Sequence, residues 1–225
     1  MKIILIYDKD NETENSKKLK DFLLEYCRLS KYMIKVFDVT KYNVKSCSGC
    51  IGCWIKTPGK CVKDDLLNQI NYSLVNSDIA IFISAISFGQ YSATIKNVMD
   101  RYIPNVLPFY TKKGKVTIHP ERYDEQPLQI LIGHGEMLSN EEKDTFTSLT
   151  DGKYNKGFNK VFICGSKERN VDIENKIIKG YKSTLTTPHP GPISYNKKIT
   201  GNLKNSIIFF RFTTTFPEYS IILFK

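Results

Sequence analysis

Four of the chain's six cysteines crowd into one short segment. Cys47-Ser48-Gly49-Cys50-Ile51-Gly52-Cys53 runs on through Trp54 to Cys61, giving the spacing Cys-Xaa2-Cys-Xaa2-Cys-Xaa7-Cys. The first three thiols have the spacing of ferredoxin-type ligands, which would suit an iron–sulfur cluster. Zinc also takes four thiolates, although its usual pattern separates two cysteine pairs. A third reading is four reduced thiols that shape a loop around Trp54, Pro58 and Gly59. In a cytosolic chain such crowding points to metal or redox chemistry more than to a disulfide framework. The other two, Cys27 in an amphipathic helix and Cys164 at the end of an apolar strand, read as core thiols.

A second group of candidates follows an apolar run at 78–84: Ser84-Ala85-Ile86-Ser87-Phe88-Gly89-Gln90-Tyr91-Ser92, leading on to Asp100-Arg101. Gly89 would let the backbone approach a flat ligand closely. Backbone N–H groups of Ser84 to Ser87 would meet its polar edge, with Phe88 or Tyr91 over its face. Asp100 and Arg101 read as structural. The plain alternative is an ordinary strand-to-helix turn. Gly133-His134-Gly135 forms a third candidate contact, its glycines permitting a tight approach and His134 able to donate to a ring or a substrate. After the first strand comes Asp8-Lys9-Asp10-Asn11-Glu12-Thr13-Glu14-Asn15-Ser16. In it Lys9 follows the strand, and Asn15 and Ser16 open the next helix.

These segments need elements to hold them. Apolar runs at 2–7, 33–38, 78–84, 128–133 and 160–164 read as strands. Helical spacing or capping signals mark 15–29, 64–74, 92–103, a helix from about Ser139, and 171–181. Asp64-Asp65 and Ser92 are the expected N-terminal caps. Alternating strands and helices, with strands that are apolar on both faces, predict a doubly wound α/β fold with a parallel sheet. Five strands suit the flavodoxin-like order 2-1-3-4-5, which places a ligand crevice at the carboxyl ends of strands one and three.

The segment from Ser84 to Arg101 resembles the flavin-contacting loop of the NAD(P)H-dependent FMN reductases and the related iron–sulfur flavoproteins. There a strand end leads through Gly-Xaa-Tyr/Met-Ser-Ala/Ser into Xaa-Xaa-Lys-Xaa-Xaa-Xaa-Asp-Arg. The matching residues are Gly89, Tyr91, Ser92, Ala93, Lys96, Asp100 and Arg101. The cysteine segment, followed by Asp64-Asp65, resembles the cysteine loop many members carry after strand two. The resemblance spans roughly residues 1–180 in element order and is specific only in these two segments. It implies FMN as cofactor, NAD(P)H as electron donor, and a quinone or other small molecule as acceptor. It also implies a possible iron–sulfur cluster on Cys47, Cys50, Cys53 and Cys61. Members usually read Gly-Ser-Xaa-Arg-Xaa-Xaa-Gly-Asn-Thr after strand one. Here Asn15 and Ser16 match the last pair, and with Lys9 they are the phosphate-binding candidates the resemblance implies, but the glycine and arginine are missing and four acids stand against Lys9. That departure leaves two further readings beside the reductase: a vestigial member that has lost FMN and serves as an interaction module, and an electron-transfer protein with a cysteine-bound cluster.

The formal net charge is +10 over 225 residues. The lysines are scattered and no recognition motif accompanies them, so no nucleic-acid partner is expected. No apolar run has the roughly 20 residues needed to span a bilayer, and no signal-peptide pattern opens the chain. A soluble, cytoplasmic protein is the expectation. Residues 1–181 form the expected flavodoxin-like domain, and 182–225 an extension. In it 205–214 and 218–224 read as a β-hairpin, too apolar to face water, which must pack on its own domain, extend the sheet or meet another subunit; the last is the expectation, a homodimer burying part of it.

Overall fold

The computed structural model describes residues 1–150, 160–165, 208–210 and 221–223. The chain divides into two compact units, Met1–Ile173 and Glu174–Lys225.

In the first unit, β1 (Lys2–Asp8) is buried from Ile3 to Asp8. α1 (Glu14–Leu29) buries Leu19, Leu23 and Cys27, one stripe at intervals of four residues. β2 (Met33–Val39) alternates in burial, and only Phe37 and Val39 are fully covered. This differs from the two-sided apolar run expected of it, because β2 stands at the sheet edge beside β1. A short α2 (Gly52–Ile55) lies in the cysteine loop, and α3 (Leu66–Val75) starts where Asp65 accepts a hydrogen bond from the Leu67 N–H. β3 (Ile79–Ser87) folds back through β4 (Gln90–Tyr91) before α4 (Ala93–Asp100). Ser92 caps α4 by accepting from the Ile95 N–H. α4 stops short of the expected residue 103. Pro104 follows and disfavours helical backbone in the residue before it, so a 3-10 turn (Ile103–Asn105) takes over. A small hairpin of β5 (Thr111–Lys113) and β6 (Val116–Ile118) precedes β7 (Leu128–Gly135). α5 (Asn140–Thr150) opens on a reciprocal cap between Ser139 and Glu142, and β8 (Lys160–Gly165) closes the sheet.

The sheet order is β2-β1-β3-β7-β8, all parallel along that path. Counting parallel strands alone, this is the flavodoxin-like order 2-1-3-4-5. One face carries Ile4, Ile6, Ala80, Phe82 and Leu131 against Leu67, Ile70 and Leu74 of α3, Ile95 and Val98 of α4 and Phe146 of α5. The alternate residues face α1, where the Tyr7 hydroxyl meets the Ser16 hydroxyl at 3.0 Å. Each buried Leu or Ile contributes about 1.5–3 kcal/mol, so both faces hold the strand ends in place. Cys27 and Cys164 are buried in this unit.

In the second unit β9 (Ile208–Phe210) pairs antiparallel with β10 (Ile221–Leu223), Phe209 opposite Ile222. The expected helix at 171–181 and the rest of the extension lie outside the described residues.

Candidate active site

Three loops rise from the carboxyl ends of β1, β3 and β7: residues 9–13, Phe88-Gly89 with its flanks, and 136–139. The strand order reverses between β1 and β3, which is where such sheets bind ligands.

The loop after β1 is built on carboxylates. Asp8 is fully buried and accepts from the Asn11 backbone N–H and from its side-chain amide at 3.0–3.3 Å. Asp10 accepts from the Lys41 N–H at 2.6 Å and from the Thr94 hydroxyl at 3.0 Å, joining the ends of β1, β2 and α4. Lys9 makes a two-oxygen contact with Glu12 at 2.8 Å. Thr13 caps α1: its hydroxyl accepts from the Ser16 N–H, while Ser16 Oγ accepts from the Thr13 N–H. Of the three phosphate candidates, Lys9 is therefore paired with Glu12 and Ser16 is buried within this cap. Asn15 is half-buried in the first turn of α1.

The loop after β3 is a two-residue hairpin. Phe88 and Gly89 both have positive φ, 50° and 71°, the geometry that matches the twist of the paired strands. Gly89 answers a different need from the one its sequence context suggests. A Cβ there would lie 2.7 Å from Thr145 of α5, so the missing side chain admits a helix. Gly133 and Gly135 behave alike, their space being filled by Ile86 and Phe146 and by Leu138. Ser84 is buried, donating to the Ala85 carbonyl and accepting from the Ser92 N–H. Ile86 is buried and Tyr91 half-buried against the core, whereas Ala85 and Ser87 are more open. Phe88 is 93% exposed on the rim. Met137, which sequence reasoning passed over, is 94% exposed on the neighbouring loop after β7. Two apolar side chains thus stand free above adjacent strand ends.

His134 sits on the α1 side of the sheet. It is 2% exposed, and its Nδ1 lies 3.5 Å from the Thr13 hydroxyl. Its Nε2 is buried without a partner among the described residues. Burial holds its pKa below the usual value against the opposing pull of Asp8, so the ring is neutral near pH 7. The neutral ring carries one proton, and whichever nitrogen holds it, Nε2 has no hydrogen-bond partner among the described residues. Thr13 was not among the sequence candidates; the Thr-Xaa-Xaa-Ser capping spacing is the signal that marks it.

The cysteine loop encloses a cavity of about 50 Å³ whose walls include Cys47, Cys50, Cys53 and Cys61 with Trp54 and Arg101. Arg101 is 2% exposed. It pairs with Asp65, donates to the Lys45 carbonyl at 2.8 Å and reaches the Cys61 sulfur at 3.0 Å. Burial pushes the Asp65 carboxyl up, and Arg101 with the Lys45 and Leu67 N–H groups outweighs it, holding the pKa below the usual value. The Gly52 N–H, then Ser48, hold the Cys50 thiol below its usual value, whereas burial and then Cys61 push Cys53 up. The donor set suits a cluster. Among the described residues, however, no three His, Cys, Asp or Glu side chains converge as metal ligands do.

Residues 1–116, slightly more than half of the chain, match the profile of the NADPH-dependent FMN reductases. The chain belongs to that family. An iron–sulfur flavoprotein from Archaeoglobus fulgidus is 25% identical over 104 residues, which cover 46% of this chain and 46% of that protein. The chain thus matches about half the length of this curated relative. A candidate quinone reductase from Klebsiella pneumoniae superposes with a TM-score of 0.55 at 14% identity, covering 84% of this chain and 86% of the other. The NAD(P)H:quinone oxidoreductase from Methanothermobacter marburgensis gives 0.55 at 12% identity, covering 84% and 98%. At such identities these two likenesses speak for the fold alone.

FMN is the cofactor of the FMN reductase family, and its two ends fare differently here. The open rim beside Phe88 and Met137, with the unpartnered Nε2 of His134 in the adjoining strand end, suits a flat heteroaromatic ring. The phosphate end does not fit: carboxylates line the loop, and the Thr13 and Ser16 hydroxyls are each taken up by the other residue's backbone N–H. Among the described residues no helix is long and apolar enough to cross a membrane.

Proposed function

We propose that this chain is an NAD(P)H-dependent flavin reductase that hands electrons to a small acceptor such as a quinone. The observation that carries the reading is the open rim at the carboxyl ends of β3 and β7, beside the β1/β3 reversal, in a chain of the FMN reductase family. A bound flavin supplies the redox chemistry, taking hydride from the nicotinamide and releasing electrons to the acceptor. The chain's own contribution is position and environment. Asp10 ties the loop after β1 to β2 and α4, fixing the floor of the crevice. Phe88 and Met137 offer apolar cover to a planar ring. The unpartnered Nε2 of neutral His134 offers a hydrogen-bonding position. The purified chain mixed with flavin should show bands near about 375 and 450 nm that bleach when NADPH or NADH is added. A chain that leaves the flavin spectrum and nicotinamide oxidation unchanged overturns the reading and favours the interaction-module alternative.

The four thiols around one cavity favour a second redox site, and we propose that Cys47, Cys50, Cys53 and Cys61 take up an iron–sulfur cluster. Arg101 beside Cys61 supplies a buried positive charge for thiolate ligands. Closing that ligand set requires the loop to draw inward. Anaerobic purification with iron and sulfide analysis tests this, and a chain free of both after reconstitution refutes it. We also propose a homodimer burying part of residues 205–224.

A further inference from the structure

The loop between β1 and α1 carries the inference, which rests on the flavin reading above. In a sheet of this order the phosphate of a bound nucleotide belongs at the N-terminus of the first helix. Asp8 is buried there, Asp10 is locked by Lys41 and Thr94, Glu12 takes up Lys9, and Glu14 opens the helix. Lys18, one turn further, is paired with Glu14. Lys9 and Lys18 are thus already paired with Glu12 and Glu14, and Asp8 and Asp10 are held by uncharged donors. A phosphate dianion placed there meets like charge and finds the capping hydroxyls of Thr13 and Ser16 already bonded.

The same loop is rich in acceptors, and neutral hydroxyl groups are donors. A polyol chain without a phosphate satisfies what a phosphate would offend. The second observation is His134, 2% exposed, with Nδ1 at the Thr13 hydroxyl and Nε2 unpartnered. This buried nitrogen beside Thr13 leaves a hydrogen-bonding position at the same loop that a neutral hydroxyl, able to donate or accept, can fill. We propose that this crevice selects an unphosphorylated flavin over FMN, so that its electron carrier is a neutral, reversibly bound flavin of the riboflavin type. The geometry of Asp10 makes the preference structural: its carboxylate holds three elements together and cannot swing away from an incoming phosphate without breaking two hydrogen bonds.

The test is to titrate the full-length chain into riboflavin and into FMN, following quenching of flavin fluorescence. Riboflavin should bind on the order of tenfold more tightly than FMN, as expected for two or three partly solvated like-charge contacts. The variant Asp10→Asn/Glu12→Gln keeps hydrogen-bonding oxygens and removes two charges. It should tighten FMN binding by about tenfold and so narrow the preference for riboflavin, with circular dichroism confirming the fold. FMN binding as tightly as riboflavin in the native chain overturns the selection while leaving the reductase reading intact. Binding of neither flavin overturns both. A variant that gains no affinity for FMN shows that these acids do not face the phosphate and overturns the selection as argued.

Discussion

The guanidinium of Arg101 donates to the sulfur of Cys61 at 3.0 Å, and the same side chain is the buried partner of Asp65. One cation therefore joins the end of α4 to both the cysteine loop and the start of α3. Replacing it by Leu leaves Asp65 buried with only the Lys45 and Leu67 N–H groups. Arg101→Leu should lower the unfolding free energy by about 3 kcal/mol, the usual cost of orphaning a buried charge. Urea denaturation followed by circular dichroism measures it, and a loss within experimental error of zero contradicts the role.

Gly89 answers to the twist of a hairpin and to the approach of α5. Gly89→Ala should destabilise the protein by about 1–3 kcal/mol, since both its φ of 71° and the 2.7 Å approach to Thr145 oppose a side chain. Thermal unfolding of the purified variant reads this directly. A variant as stable as the native chain shows that α5 can retreat.

His134 predicts the sign of one pH dependence. Its pKa in the folded chain lies below the usual 6.5, with burial as the main cause. The unfolded chain takes up the proton first as pH falls, so this contribution to stability is complete above 6.5 and is lost on acidification towards the lower folded value. Melting temperatures of the native chain and His134→Gln, compared between about pH 5 and 8, should diverge only at the acid end, where the native chain loses more. Parallel curves would show that His134 does not contribute.

Truncation after Tyr181 removes the antiparallel pair of β9 and β10. Multi-angle light scattering should report a dimer for the full chain and a monomer for the truncated one. A full-length monomer at micromolar concentration contradicts the assembly.

Strands hidden between helices announced themselves, because residues such as Ile79–Ile83 are apolar on both faces and little else produces that pattern. The caps at Asp65 and Ser92 were equally readable from residue type. The hairpin of β3 and β4 was not. Its turn places Phe88 in a left-handed conformation that bulky residues rarely adopt, so nothing local signals it. The three glycines near the rim were read as openings for a ligand. What fills their space comes from Thr145, Phe146 and Leu138, and a glycine looks the same in sequence whoever occupies the room it leaves. The meeting of Thr13 with His134 spans 121 positions and follows only from the order of β1, β3 and β7. The excess of acids in the loop after β1 was legible; their bonding to Lys41, Thr94 and Asn11 was not.

Trp54 donates its indole N–H to the carbonyls of Ile103 and Val106, and His119, itself against Tyr110, packs on its ring. It is the chain's one tryptophan and it stands in the wall of the cysteine cavity. The protein thereby carries its own optical probe. A rearrangement of the four thiols disturbs the surroundings of an indole fixed at its nitrogen, and a shift in its emission reports on that loop and on the residues that hold the ring.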